Sequence, residues 1–127
     1  MSESHLIRYV IDTKLNSIKF NRKNRDKYFE CYNKNYTNAE FSLYQIYKEK
    51  LENDLQFMKY LLQNIDYEDV ELTKIYDMEL KEDDEGKLFH FIYIGGETCK
   101  LLKNETKTTY QDDDKAIVDI INKIMKG

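Results

Sequence analysis

At 127 residues, with 41% hydrophobic and 35% charged side chains, the chain has material for one compact domain, and its core must draw on a 13% aromatic fraction that is mostly tyrosine. No apolar run approaches the roughly 20 residues a bilayer helix needs, and Glu3 stands where a signal peptide carries positive charge, so no membrane role and a cytoplasmic setting are expected. Cys31 and Cys99 are far apart and belong to no C-x-x-C pair; they are expected as buried free thiols, not as a disulfide or a zinc site.

From 4 to 20, the positions Ile7, Val10, Ile11, Leu15 and Ile18 fit one helical face. Their β-branched content also allows an extended hairpin, and the helix is favoured. A second, more polar helical stretch is expected over about 22–35, ending in the asparagine-rich segment 33–38. Thr37-Asn38-Ala39-Glu40 is a capping box: the Thr37 hydroxyl accepts from the backbone N–H three residues on, and the Glu40 side chain reaches back. After it, Tyr44, Tyr47, Leu51, Leu55, Met58, Leu62 and Ile65 recur every three or four residues, which predicts a long helix over 38–63. A helix of that length packs along another as a hairpin or crosses a sheet.

The periodicity then changes. Val70, Leu72, Lys74, Tyr76 and Leu80 read as a strand, 82–86 as a turn, and Leu88 to Ile94 as a strongly apolar strand. Gly95-Gly96 turns the chain, 98–102 and 106–110 supply one or two further strands, and Ala116, Ile117, Ile120, Ile121 and Ile124 mark a closing amphipathic helix over about 113–126. The expected fold class is α+β: a helical N-terminal half with one long helix, then a three- or four-stranded antiparallel sheet backed by a C-terminal helix. It forms a single domain, with 65–70 at most a junction between a helical part (1–65) and a β-rich part (70–127).

The net charge of −4 conceals an asymmetry: residues 1–50 carry ten basic and six acidic side chains, net +4, and residues 51–127 carry ten and 18, net −8. In the basic half, Arg22, Lys23, Arg25, Lys27 and Lys34 are interleaved with Tyr28 and Tyr32, the mixture that neutralises phosphates and stacks on bases. The same tyrosines, with Phe29 and Tyr36, also recur at helical spacing, and the favoured reading is a buried stripe with the lysines on the solvated face. In the acidic half, Glu82, Asp83, Asp84 and Glu85 form one run and Asp112, Asp113 and Asp114 another. Such runs can imitate a phosphate array and occupy the basic groove of a nucleic-acid enzyme. They also suit a turn and a helix start.

Catalytic sets are lacking. His5 and His90 have no spaced partner, His90 being expected outward or satisfied within its strand, and no nucleophile elbow, phosphate loop, dinucleotide fingerprint or zincin motif occurs. The acidic turn lacks EF-hand spacing. No catalytic residue, metal or cofactor is expected, and function is expected to rest on binding. The absence of proline and tryptophan, and three arginines against 17 lysines, give the composition of an AT-rich genome such as that of a phage or mobile element.

Asn38-Ala39-Glu40-Phe41 is similar to the E-N-A-E-Y hairpin tip of the Gre family of transcript-cleavage factors, and Phe91-Ile92-Tyr93-Ile94-Gly95 is similar to that family's Y-x-I-V-G strand. The order of parts over about 22–126 also resembles the family, which inserts a helical hairpin into the secondary channel of bacterial RNA polymerase. The tip acids that bring that family's catalytic metal are replaced by Lys34 and Thr37, Glu97 is out of register with the acid after the strand, and the chain stops where the family's β domain would continue. The resemblance therefore implies polymerase binding without transcript cleavage.

These features together lead to the expectation of a non-enzymatic, acidic protein-binding modulator or inhibitor of a larger nucleic-acid-handling enzyme, such as RNA polymerase or a nuclease, acting through the two acidic runs. The alternatives are a Gre-like polymerase-binding factor and a nucleic-acid-binding module using 19–36. A homodimer would follow if Leu51, Leu55, Met58 and Leu62 were left uncovered within one chain.

Overall fold

No glycine or proline interrupts the chain before residue 86, so nothing in the first third obliges a helix to stop. The computed structural model describes residues 3–64, 76, 78–82, 84–102 and 110–127, and its first element is one helix, α1 (Glu3–Asn35), of 33 residues. At 1.5 Å per residue it is about 50 Å long. The extended alternative for 4–20 is thus not adopted, and the two expected helical stretches are one. Asn21, at their expected boundary, is buried and turns its side chain to the neighbouring helix.

The chain reverses at Tyr36 and Thr37. The Tyr36 N–H still donates to the Tyr32 carbonyl at 2.7 Å, while Tyr36 itself takes the left-handed conformation, φ 54°, at the post-helical position where glycine is usual. The Thr37 hydroxyl accepts from the Glu40 N–H at 3.3 Å, as the capping box requires. The Glu40 carboxylate, however, does not return to Thr37. Its Oε1 accepts from Asn35 Nδ2 at 3.1 Å, and its Oε2 is enclosed without a partner.

The second helix, α2 (Asn38–Asn64), runs back along α1 as the other limb of an antiparallel hairpin. Its Leu51, Met58 and Leu62 are buried, and Leu55 packs against the same cluster, so the stripe that would have called for a homodimer is covered within one chain. A charged group lies among them. Asp54, 8% exposed, accepts from Ser17 Oγ at 2.5 Å, Asn21 Nδ2 at 2.9 Å and Lys14 Nζ at 3.3 Å.

Three antiparallel strands follow in the order β1 (Met78–Glu82), β2 (Leu88–Ile94), β3 (Glu97–Leu102). Tyr76 lies outside β1, in a bend, and the remainder of the strand expected from Val70 falls outside the described residues. So do 106–109, proposed as a fourth strand, whereas Tyr110 begins the last helix, α3 (Tyr110–Lys126), three residues earlier than the pattern predicts. Opposite pairs such as Met78↔Ile92↔Cys99 and Leu80↔His90↔Leu101 place His90 on the face of Ile92 and Ile94, so it is half-buried on the core side and not outward. Gly95 and Gly96 both have positive φ, 58° and 80°, as a two-residue hairpin turn matching strand twist demands. A Cβ on Gly95 would also lie 3.0 Å from Leu15 Cβ.

The core gathers Ile11, Leu15 and Ile18 of α1, Ile92 and Ile94 of β2, and Ile117, Ile121 and Ile124 of α3 around fully buried Tyr76. Three polar side chains of α1 tie these layers together. Asp12 accepts from the Tyr76 hydroxyl and the Gly95 N–H, both at 3.0 Å; Lys19 donates to the Gly95 carbonyl; Arg22 donates to the Ile124 and Met125 carbonyls.

Removing one partner from the Asp54 network leaves buried donors unsatisfied. Asp54→Ala is expected to lower urea-melt stability by about 2 kcal/mol, whereas Asp54→Leu with Asn21→Leu returns to within about 1 kcal/mol of the parent. A second prediction concerns Tyr76. Burial, then the charge and hydrogen bond of Asp12, hold its phenol proton well beyond the ordinary range, with only Arg8 opposing. Above a pH of about 10 the unfolded chain releases this proton and the folded chain keeps it, so stability falls as pH rises, by up to about 1.4 kcal/mol per pH unit. Tyr76→Phe should cost about 1 kcal/mol at neutral pH and flatten that alkaline decline, both read from urea melts across the range.

Candidate functional site

Burial divides the hairpin into two unlike halves. No residue of α1 beyond Asn21, and none of α2 before Leu51, is buried. The outer half therefore extends past the core for some 14 residues of α1, about 20 Å. Aromatic pairs across the helices hold it together. Tyr28 stacks on Tyr47 with centroids 5.6 Å apart and planes 10° from parallel, Phe29 meets Tyr44 at 5.2 Å, and Tyr32 meets Phe41 at 5.1 Å. Each such pair contributes about 0.5–1.5 kcal/mol beyond the area it buries.

The aromatic stripe expected at 28–36 therefore exists, but its members are not buried. Tyr28 and Tyr32 are half-buried, Phe29 is 48% exposed and Tyr36 74% exposed. Phe41 and Ile46 add exposed apolar surface from α2. Tyr36 also sits in the left-handed region, which costs a side-chain-bearing residue about 1 kcal/mol relative to glycine. Among the described residues, the most exposed aromatic ring is thus carried on the strained residue of the reversal.

Of the basic and aromatic residues proposed for nucleic acid, the structure gathers few on one free face. One face of the Tyr28 ring is taken by Tyr47, and the Lys27 ammonium lies 5.4 Å from its centroid. Tyr32 is flanked by Tyr36 and Phe41. Arg25 pairs with Asp26 at 2.8 Å and Lys34 with Glu30 at 3.2 Å. Arg22 is spent on the last carbonyls of α3, where a cation also suits the negative end of the helix dipole. Lys23 faces a cleft at the foot of the hairpin together with Lys19 and Lys123.

The acidic runs lie elsewhere. Glu82 ends β1 and, like Asp84 and Glu85 in the following turn, is exposed; Asp83 falls outside the described residues. Asp112, Asp113 and Asp114 lie within the first turns of α3, where carboxylates complement the dipole. Among the described residues no three His, Cys, Asp or Glu side chains are placed to hold a metal ion, and no helix is long and apolar enough to cross a membrane.

Residues on which the arrangement depends most, Asp12 and Asp54, carry a weak sequence signal: Asp54 stands on the apolar face of α2 between Leu51 and Met58, where a charged side chain needs a buried partner. Compared with protein-family models, curated proteins and solved structures, the chain matches none.

Arg22 anchors α3 and Lys23, its neighbour, does not. Arg22→Met is expected to destabilise the fold by about 1–2 kcal/mol and Lys23→Met by less than about 0.5 kcal/mol in urea melts.

Proposed function

We propose that this protein is a non-enzymatic binding module that presents its helical hairpin to a larger protein and modulates it. The observation that carries this reading is the outer half of the hairpin: it has no buried residue, yet it holds exposed Phe29, Tyr36, Phe41 and Ile46 around a strained reversal. Aromatic surface of that kind is enriched at protein interfaces. Residues 22–50 also carry seven basic and four acidic side chains, net +3 in a chain of net −4, which favours an acidic surface on the partner.

A nucleic-acid-handling enzyme in the cytoplasm is the proposed partner class. Bacterial RNA polymerase is the particular candidate that the Gre resemblance adds, with binding and not cleavage as the role, since Lys34 and Thr37 replace the tip acids. The acidic turn at Glu82, Asp84 and Glu85 is a second contact surface on the same module. Direct nucleic-acid binding is the weaker reading, because Tyr28 and Tyr32 are occupied by other rings.

Tyr36→Gly separates binding from folding, because it relieves the left-handed strain while removing the exposed ring. With Ile46→Lys added, the variant should keep the parent's urea midpoint within about 1 kcal/mol. Purified RNA polymerase, nuclease-treated, is the first partner to titrate by interferometry. The expected result is binding weakened about tenfold or more by the tip variant and less by charge reversal at Glu82, Asp84 and Glu85. Equal binding by parent and tip variant would remove the hairpin from the reading. A gel shift at about 50 mM salt, where phosphate contacts are strong, that survives in neither form leaves nucleic acid out of it.

A further inference from the structure

At the foot of the hairpin, α1, β3 and α3 line an open cleft of about 560 Å³. This size falls within the range of small-molecule sites. Lys19, Arg22 and Lys23 enter it from one face of α1, and Lys123 from the last turns of α3. Its two acidic side chains are already paired, Glu97 with Lys19 at 3.4 Å and Asp26 with Arg25 at 2.8 Å, and Gly127 lies against the Arg22 guanidinium.

Arg22, Lys23 and Lys123 therefore have no carboxylate partner among the described residues. Arg22 gives its N–H groups to the Ile124 and Met125 carbonyls, and a helix end offsets only about half a unit charge. Lys23 and Lys123 are exposed and make no hydrogen bond or ion pair among the described residues. Such a concentration of unbalanced positive charge in a chain of net −4 is a local property of the cleft. Ile120, Ile124 and half-buried Cys99 give the same cleft an apolar wall.

We propose that this cleft binds a small organic phosphate. Lys23 and Lys123, free to move, close on the phosphate oxygens from two different elements, and Arg22 supplies a fixed positive charge behind them. The organic portion lies against Ile120, Ile124 and Cys99. A phosphate fits better than a single carboxylate because several cations converging from separate elements match a dianion with three acceptor oxygens. Burial, reinforced by Glu97, raises the Cys99 thiol above its ordinary pKa and keeps it protonated at neutral pH, which suits a wall and not a nucleophile.

The test uses the full chain at low salt with three probes: phenyl phosphate, inorganic phosphate and benzoate. Calorimetry is expected to give saturable binding in the order phenyl phosphate, inorganic phosphate, benzoate. Lys23→Gln with Lys123→Gln should weaken phenyl phosphate about tenfold or more, while Lys48→Gln with Lys59→Gln, an equal charge change on α2, should leave it unchanged. Bound phenyl phosphate should also slow iodoacetamide alkylation of Cys99 and not that of Cys31, which lies on the outer part of α1. Absence of saturation by about 10 mM, equal loss in both double variants, or an unprotected Cys99 would each overturn the proposal. Benzoate binding as tightly as phenyl phosphate would overturn the assignment to phosphate.

Discussion

The carboxylate of Asp54 sets the register on which the hairpin depends. It is buried between α1 and α2 and satisfied from three positions of α1, Lys14, Ser17 and Asn21. These lie at i, i+3 and i+7, one face of a helix. Apolar side chains tolerate a slide of one turn because one methyl replaces another. A buried carboxylate does not, since any other register strands the charge away from its donors. Fixing that point brings Tyr28 opposite Tyr47, Phe29 opposite Tyr44 and Tyr32 opposite Phe41 further out. The aromatic seam inherits its alignment from a polar contact in the inner half.

The opposite edge of α1 does comparable work for the β half. Asp12, Lys19 and Arg22 lie along one side of the helix and hold, respectively, the Tyr76 hydroxyl and Gly95 N–H, the Gly95 carbonyl, and the end of α3. One helix therefore carries the contacts to every other layer. Beyond Arg22 those polar ties stop, and among the described residues α2 alone accompanies the outer turns of α1. The hairpin is anchored at its foot and aromatic at its end, which follows from where the polar ties fall along 33 residues.

What was legible in the sequence was local. The capping threonine, the apolar face of α2, the β2 strand and the Gly95-Gly96 turn each draw on residues within one or two turns of one another, and each has its physical cause in the residues themselves. What was not legible depended on distant partners. The helical stretches expected over 4–20 and 22–35 left Asn21 between them as a boundary. Its amide is instead used by Asp54, 33 positions away. Arg22 read as a phosphate ligand, although its donors are taken by carbonyls more than 100 residues later. The spacing of Tyr28 and Tyr32 correctly marked a helix face, whereas Tyr36 lies past the end of α1, and periodicity says nothing about how much covers that face. With one neighbouring helix among the described residues, a stripe that would be buried in a bundle stays half open.

That half-open state bears on which surface acts. Acidic runs at a turn and at a helix start have sufficient local reasons to exist, because exposed turns favour polar residues and helix starts favour carboxylates. An exposed tyrosine in the left-handed region has no such reason: glycine or asparagine would close the same reversal at less cost. Local strain and exposed aromatic surface coincide at Tyr36, whose ring meets Tyr32 edge-on at 5.9 Å and is otherwise open. A partner that desolvates Tyr36, Phe41 and Ile46 would gain apolar area without reorganising the core, since the seam behind them already holds the helices in register. The proposed docking surface is therefore the part of the molecule where the requirements of folding least explain the residues present.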